Sequence, residues 1–266
     1  MKQPVCRQAG FLPSPTLATA RSKPANRRPA PSGRELSTPV SGRICYNVPV
    51  PKWVKTILAV LLLPFCVGAV TALGKVLRAS GQADTTWVAP VGGAGCWLVL
   101  FLLLPKPMRV YVFGHELTHA LWAWLFGGKV KQFKVSATGG HVVVTRTNFL
   151  IVLAPYFFPF YVVLVVMIFG LGDWIWGWTR YRAWFHLLVG AAYAFHLTLT
   201  AHILRTRQSD ITSQGYLFSS VIIFLGNVGV LLLGIPLLTA QVSLGEALGW
   251  WLAESVTFVS RLPRLF

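Results

Sequence analysis

The stretch VYVFGHELTHALWAWL, Val110–Leu125, is apolar at both ends and carries His115, Glu116, Thr118 and His119 at its centre. Ionisable groups in the middle of an apolar span cost several kcal/mol unless something offsets them. The chain around this stretch gives it little polar company. Of 266 residues, 55% are hydrophobic and 12% are charged, against about 25% charged in an ordinary soluble domain. The charge that remains is lopsided, with 24 Lys and Arg against 7 Asp and Glu. A soluble nucleic-acid binder can be this basic, but it is not also this apolar. A polytopic membrane protein is both, because its basic residues sit in short loops and flank its spans.

Outward from Val110–Leu125, apolar segments of spanning length follow one another. Trp53–Val76 and Trp87–Leu104 precede it; Phe149–Leu171, Ala183–Leu204 and Tyr216–Leu238 follow. The expected fold is an all-α polytopic membrane protein with about six transmembrane helices, its embedded domain covering residues 53–240. Between Gly127 and Asn148 the pattern changes from helical to alternating around Gly139-Gly140, which predicts a small β-hairpin turning on those glycines. Lys129, Lys131, Lys134 and Arg146 make it polar, so it is expected to be re-entrant or interfacial.

The two ends differ from the middle. Residues 1–50 are rich in Pro, Ser, Ala and Arg and have one acid, Glu35. They read as a disordered basic tail, with a targeting segment or a mis-assigned start as alternatives. Residues 241–266 are amphipathic over Ser243–Ser260 and are expected to form a helix lying along the membrane interface rather than a further span. Orientation is left open: without the tail, the two sets of loops hold 6 and 8 basic residues. Cys6, Cys45, Cys66 and Cys96 show no ligand spacing and read as packing residues.

His115-Glu116-Leu117-Thr118-His119 is an HExxH. On a helix, positions i and i+4 share one face, so both imidazoles can ligate one metal ion, and the intervening glutamate can reach a metal-activated water. The bland alternative is a pair of core histidines with a glutamate in a salt bridge. Against it, no Lys or Arg lies within a turn of Glu116. A tetrahedral catalytic site needs a third protein ligand. Asp210, His196, His202, His186 and His141 are the candidates. Two spans separate the motif helix from the segment 205–215, and an even number of crossings returns the chain to the side where that helix ends. Asp210 lies in this segment and His196 on the helix leading into it, and spacing leaves the two level. Asp210 has competing structural roles as a helix N-cap or a partner of Arg205 or Arg207.

HELTHA, followed by Gly127-Gly128-Lys129-Val130, a Gly-Gly hairpin and a span containing Ala154-Pro155, resembles the site-2 protease class of M50-like intramembrane zinc metalloproteases. The likeness covers roughly residues 109–235, about half of the chain. It implies Zn2+ held by His115, His119 and Asp210, with Glu116 as catalytic base. It also implies an integral, multi-pass membrane protein that cleaves peptide bonds in or near the transmembrane segments of membrane-protein substrates, with no nucleic-acid partner. The chain departs from the family pattern at Asp210, which is followed by Ile211 rather than by glycine. The alternative function is a non-catalytic membrane protein with a structural or transport metal site; Glu116 favours catalysis, because a structural site needs no adjacent base.

Weaker signals accompany the motif. Pro155 and Pro159 are expected to kink the fourth span. Gly92, Gly93 and Gly95 are expected to allow close helix approach, and Asn227 to bond a neighbouring helix. The hairpin offers a strand edge on which an unwound substrate segment can add.

Overall fold

The computed structural model describes residues 6–7, 50–81, 84–136, 139–261 and 263; the expected tail lies almost entirely outside them. The described residues are helical apart from one small sheet and the connecting turns. Helices α1 (Lys52–Ser80) and α2 (Asp84–Leu103) precede α3 (Met108–Leu125), the helix of the HExxH motif. Strands β2 (Val130–Ser136) and β3 (Gly139–Val144) follow, and a two-residue strand β1 (Cys6–Arg7) pairs with the other edge of β3. Then come α4 (Phe149–Leu153), α5 (Phe160–Trp176), α6 (Arg182–Leu204), the short α7 (Ser209–Gln214), α8 (Tyr216–Thr239) and α9 (Leu244–Arg261).

Four helical stretches among the described residues are long and apolar enough to cross a membrane: Lys52–Ser80, Thr85–Leu103, Trp178–Leu204 and Tyr216–Thr239. A fifth span arises if Phe149–Tyr156 and Phe160–Trp176 count as one, but these two meet at 80°. The expected kink at Pro155 and Pro159 is thus a break. The chain makes a 3-10 turn over Ala154–Tyr156 and restarts as α5 after Pro159, where proline offers no N–H to continue a helix. The expected count of about six spans includes α3; its 18 residues are diluted by the polar cluster, and it is not among the four.

The hairpin is present, but Gly139 and Gly140 do not form its turn. They are the first two residues of β3, paired with Ser136 and Val135, and the turn positions 137–138 lie outside the described residues. Gly140 is needed for another reason. A Cβ built on it falls 2.7 Å from the Lys134 carbonyl oxygen and 2.8 Å from Glu116 Cγ. The missing side chain lets β3 press its backbone onto the motif helix.

Two helix pairs frame the site. Helices α2 and α6 approach through glycine: a Cβ on Gly93 meets the Leu187 carbonyl oxygen at 1.9 Å, and one on Gly190 meets that of Pro90 at 1.9 Å. Gly92 and Gly95 have open space beside them. Helices α1 and α8 run side by side, with Lys55 Nζ of α1 donating to Gln214 Oε1 at the end of α7 at 2.6 Å and Thr239 Oγ1 of α8 donating to Ser80 Oγ at 3.2 Å.

Helix α9 begins with a capping box in which Glu246 Oε2 accepts from the Ser243 backbone at 2.8 Å and the Glu246 N–H donates to Ser243 Oγ at 3.2 Å. These bonds hold the exposed Glu246 carboxyl below the usual range. The helix packs against α1 and α8. It returns along α1, with Ser255 against Gly68, Trp251 Nε1 donating to the Phe65 carbonyl at 2.9 Å, and Glu254 paired with Lys75 at 2.5 Å. Ala247 packs with Ala69, Ala72 and Val76 of α1 and Leu232 and Ile235 of α8, while Leu248, Leu252, Val256 and Val259 stay exposed.

Candidate metal centre

Helix α3 is defined by its ends. Pro107 precedes it, and Gly127 terminates it in the left-handed region (φ 71) with the Gly128 N–H returned to the Ala123 carbonyl at 2.7 Å. One face, including Val112, Glu116, Ala120 and Ala123, is buried, as are His115 and His119. Val142 and Val144 of β3 and Ile151 of α4 pack on Ala120 and Ala123. Both histidines therefore lie deep in the protein, beneath the hairpin and the broken span.

His119 is held by a local structure that reaches back to Asn148. The Asn148 side chain caps α4 by accepting from the Ile151 N–H at 2.9 Å. The Ile151 carbonyl in turn lies 2.7 Å from His119 Nδ1. A carbonyl only accepts, so Nδ1 carries the proton and Nε2 faces inward. Such a hydrogen bond on the far nitrogen is the usual support of a metal-ligating histidine.

Facing these rings is Asp210, the second residue of α7, 5% exposed. Its Oδ2 lies 3.7 Å from His115 Nε2 and 3.5 Å from His119 Nε2. It makes no salt bridge with Arg205 or Arg207 among the described residues, and its side chain caps no helix N-terminus there, so neither competing role applies. Tyr156, fully buried in the 3-10 turn, donates its hydroxyl to the same Oδ2 at 3.2 Å. Asn227 of α8 holds Tyr156 in place, donating from Nδ2 to its carbonyl at 3.0 Å; this is the expected bond to a neighbouring segment. Burial opposes the ionised form of Asp210, but the two imidazoles facing it prevail and hold its carboxyl down at about 2.

The three side chains form a group that could hold a metal ion, each offering one ligand atom and all within 4.8 Å of one another. Tetrahedral coordination with bonds of 2.0–2.1 Å places neighbouring ligand atoms about 3.4 Å apart. The two nitrogen–oxygen separations lie close to that. The chemistry of the donors points the same way. His119 Nε2 has no hydrogen-bond partner among the described residues, and a ring nitrogen and a carboxylate oxygen facing each other inside a protein are a donor set that a shared cation would satisfy.

Glu116 lies beside this group without joining it. It is 1% exposed and both carboxylate oxygens lack hydrogen-bond partners among the described residues. Of the other candidates, His196 is buried on α6 outside the three-residue group, and neither His202 nor His186 belongs to it. His141 lies in β3, opposite Lys134. Sequence reasoning missed Tyr156 and Ile151. The only signal for Tyr156 was its place after Ala154-Pro155, and for Ile151 its position three residues after Asn148. Comparison of the chain with protein-family models, curated proteins and solved structures finds no match to any of them.

Proposed function

We propose that the protein is an integral, multi-pass membrane metallopeptidase that holds Zn2+ through His115, His119 and Asp210 and hydrolyses peptide bonds in or near transmembrane segments. The observation that carries this reading is the pairing of a buried three-ligand group with an adjacent carboxylate that is not a ligand. Two imidazoles and one carboxylate are a donor set that zinc enzymes use, leaving a fourth position open. Bound there, zinc supplies a Lewis acid that lowers the pKa of water and polarises a carbonyl.

The chain's own groups supply the rest. Glu116 follows His115 directly, and its carbon stem is pinned by the backbone of β3 at Gly140. With no hydrogen bond to give up, its carboxylate takes the proton of the attacking water and passes it to the leaving amine. Tyr156 and the Ile151 carbonyl keep Asp210 and His119 in register. An unwound substrate segment would add to β3 in place of β1: β3 passes over Glu116, and its outer edge accepts β1 as a strand at Val143 and Val144. The resemblance of HELTHA, the hairpin and the proline-broken span to site-2 proteases supports the same reading, and four apolar helices of spanning length support the membrane setting. The substrate is accordingly a membrane protein.

The alternative, a structural or transport metal site, is favoured by no specific contact, since a structural site has no use for an unpaired buried glutamate. Neo-N-terminus profiling of membranes separates the two. Cells producing the protein should acquire new termini within or beside transmembrane segments, and cells producing Glu116→Gln should not. Identical termini from both would overturn the peptidase assignment.

A further inference from the structure

On the side of α3 facing α5 and α6 is a cavity of ≈ 20 Å³, lined by His115, Thr118, Tyr161, Phe195 and His196 among others. A buried water requires about 10–15 Å³ and two to four polar partners. The cavity therefore has room for one. Two ring nitrogens of residues lining it have no hydrogen-bond partner: His115 Nδ1 and His196 Nε2. His196 is 6% exposed, so bulk water does not satisfy it.

The two motif histidines are thus supported unequally. His119 gives its Nδ1–H to the Ile151 carbonyl, whereas among the described residues no group accepts from His115. A metal-ligating histidine almost always gives its second N–H to a carboxylate, a carbonyl or a water. We propose that His196 is a positioning residue for the metal centre, acting on His115 through a single water held in this cavity. Building on the zinc site proposed above, His115 uses Nε2 toward Asp210 and so carries its proton on Nδ1. The water accepts that proton's hydrogen bond and donates one of its own to His196 Nε2. Its second hydrogen is available to the Thr118 hydroxyl, which already donates to the Gly114 carbonyl at 2.7 Å and so faces the water as an acceptor. Three polar partners lie within the range that a buried water requires. The arrangement locks the His115 ring with Nε2 turned toward Asp210, as the Ile151 carbonyl locks His119.

The test uses the full chain purified in detergent, with zinc alone as ligand and a competing chelator to measure affinity. His196→Leu keeps bulk and removes the acceptor; His196→Gln keeps a carbonyl in its place. The leucine variant should bind zinc about 10–100-fold more weakly, and the glutamine variant should recover most of the loss. Wild-type affinity in His196→Leu, or a loss in His196→Gln as large as in His196→Leu, would overturn the proposal. Imidazole 15N shifts of the zinc-loaded wild type test it without any variant. His115 should be protonated at Nδ1 and His196 unprotonated at Nε2; a proton on His196 Nε2 contradicts the bridge. A wild-type chain that takes up no zinc overturns the metal site as well, whereas a zinc-binding chain indifferent to His196 overturns only this role.

Discussion

Tyr156→Phe removes one oxygen atom from a fully buried ring and leaves its packing on His115, at 5.3 Å between ring centroids, unchanged. The lost hydroxyl donates to Asp210 Oδ2 at 3.2 Å, the same oxygen that faces both imidazoles at 3.7 and 3.5 Å. Without that donor, nothing among the described side chains other than the two histidines fixes the rotation of the carboxylate. Loss of an outer hydrogen bond to a ligating group costs about 10–100-fold in metal affinity, equivalent to about 1.4–2.7 kcal/mol. An independent estimate, a hydrogen bond to a charged group at about 1.5–3 kcal/mol, falls in the same range. The assay is zinc competition against a chelator, using wild type and Tyr156→Phe in the same detergent, with thermal melting of both metal-free proteins alongside. Weaker zinc binding by one to two orders of magnitude is expected. Equal affinity would refute the reasoning that Tyr156 holds the third ligand.

Glu116→Gln keeps volume and leaves the three ligands intact, so zinc content should stay at the wild-type level while cleavage falls at least about 10²–10⁴-fold, the range for removal of a general base; metal analysis and terminus profiling on one preparation check both halves. Gly140→Ala places a methyl 2.8 Å from Glu116 Cγ, where ordinary contact begins at 3.4 Å, and 2.7 Å from the Lys134 carbonyl. Displacing the base by even part of an ångström is expected to cost up to about 10²-fold in activity with zinc retained, and loss of zinc instead would show that the strain reaches the ligands. Gly93→Val forces α2 away from the Leu187 carbonyl, which a Cβ would meet at 1.9 Å. Overpacking of this kind costs about 1–3 kcal/mol or more, seen as a lower melting temperature, whereas Gly92→Val, with nothing within 4 Å, should melt near wild type.

The motif was legible because its geometry is local: four residues of helix fix the relation of His115 to His119 whatever surrounds them. Asp210 came within reach because counting crossings needs only the segments between, although the count could not separate it from His196. Position in the fold did that, placing Asp210 Oδ2 within 3.7 Å of both rings and leaving His196 at the wall of a cavity beside α3. Tyr156 and Ile151 were invisible because their roles depend on a break in the fourth span that turns by 80°, and a pair of prolines announces a disturbance without giving its angle. Gly139 and Gly140 misled through an ordinary association of glycine with turns; one of them is in fact a contact surface for Glu116. The packing partner of the C-terminal helix was hidden for a physical reason too. An apolar stripe is the same stripe whether it meets lipid or α1, and only the contacts at Gly68 and Phe65 reveal the partner.

The central claim is that His115, His119 and Asp210 together hold one metal ion. Elemental analysis of the purified full chain, beside His119→Ala and Asp210→Ala, measures this directly. About one equivalent of zinc is expected in the wild type, with a small residue in either variant and unchanged content in His202→Ala. Equal metal in wild type and both ligand variants, or none in any of them, would contradict the account.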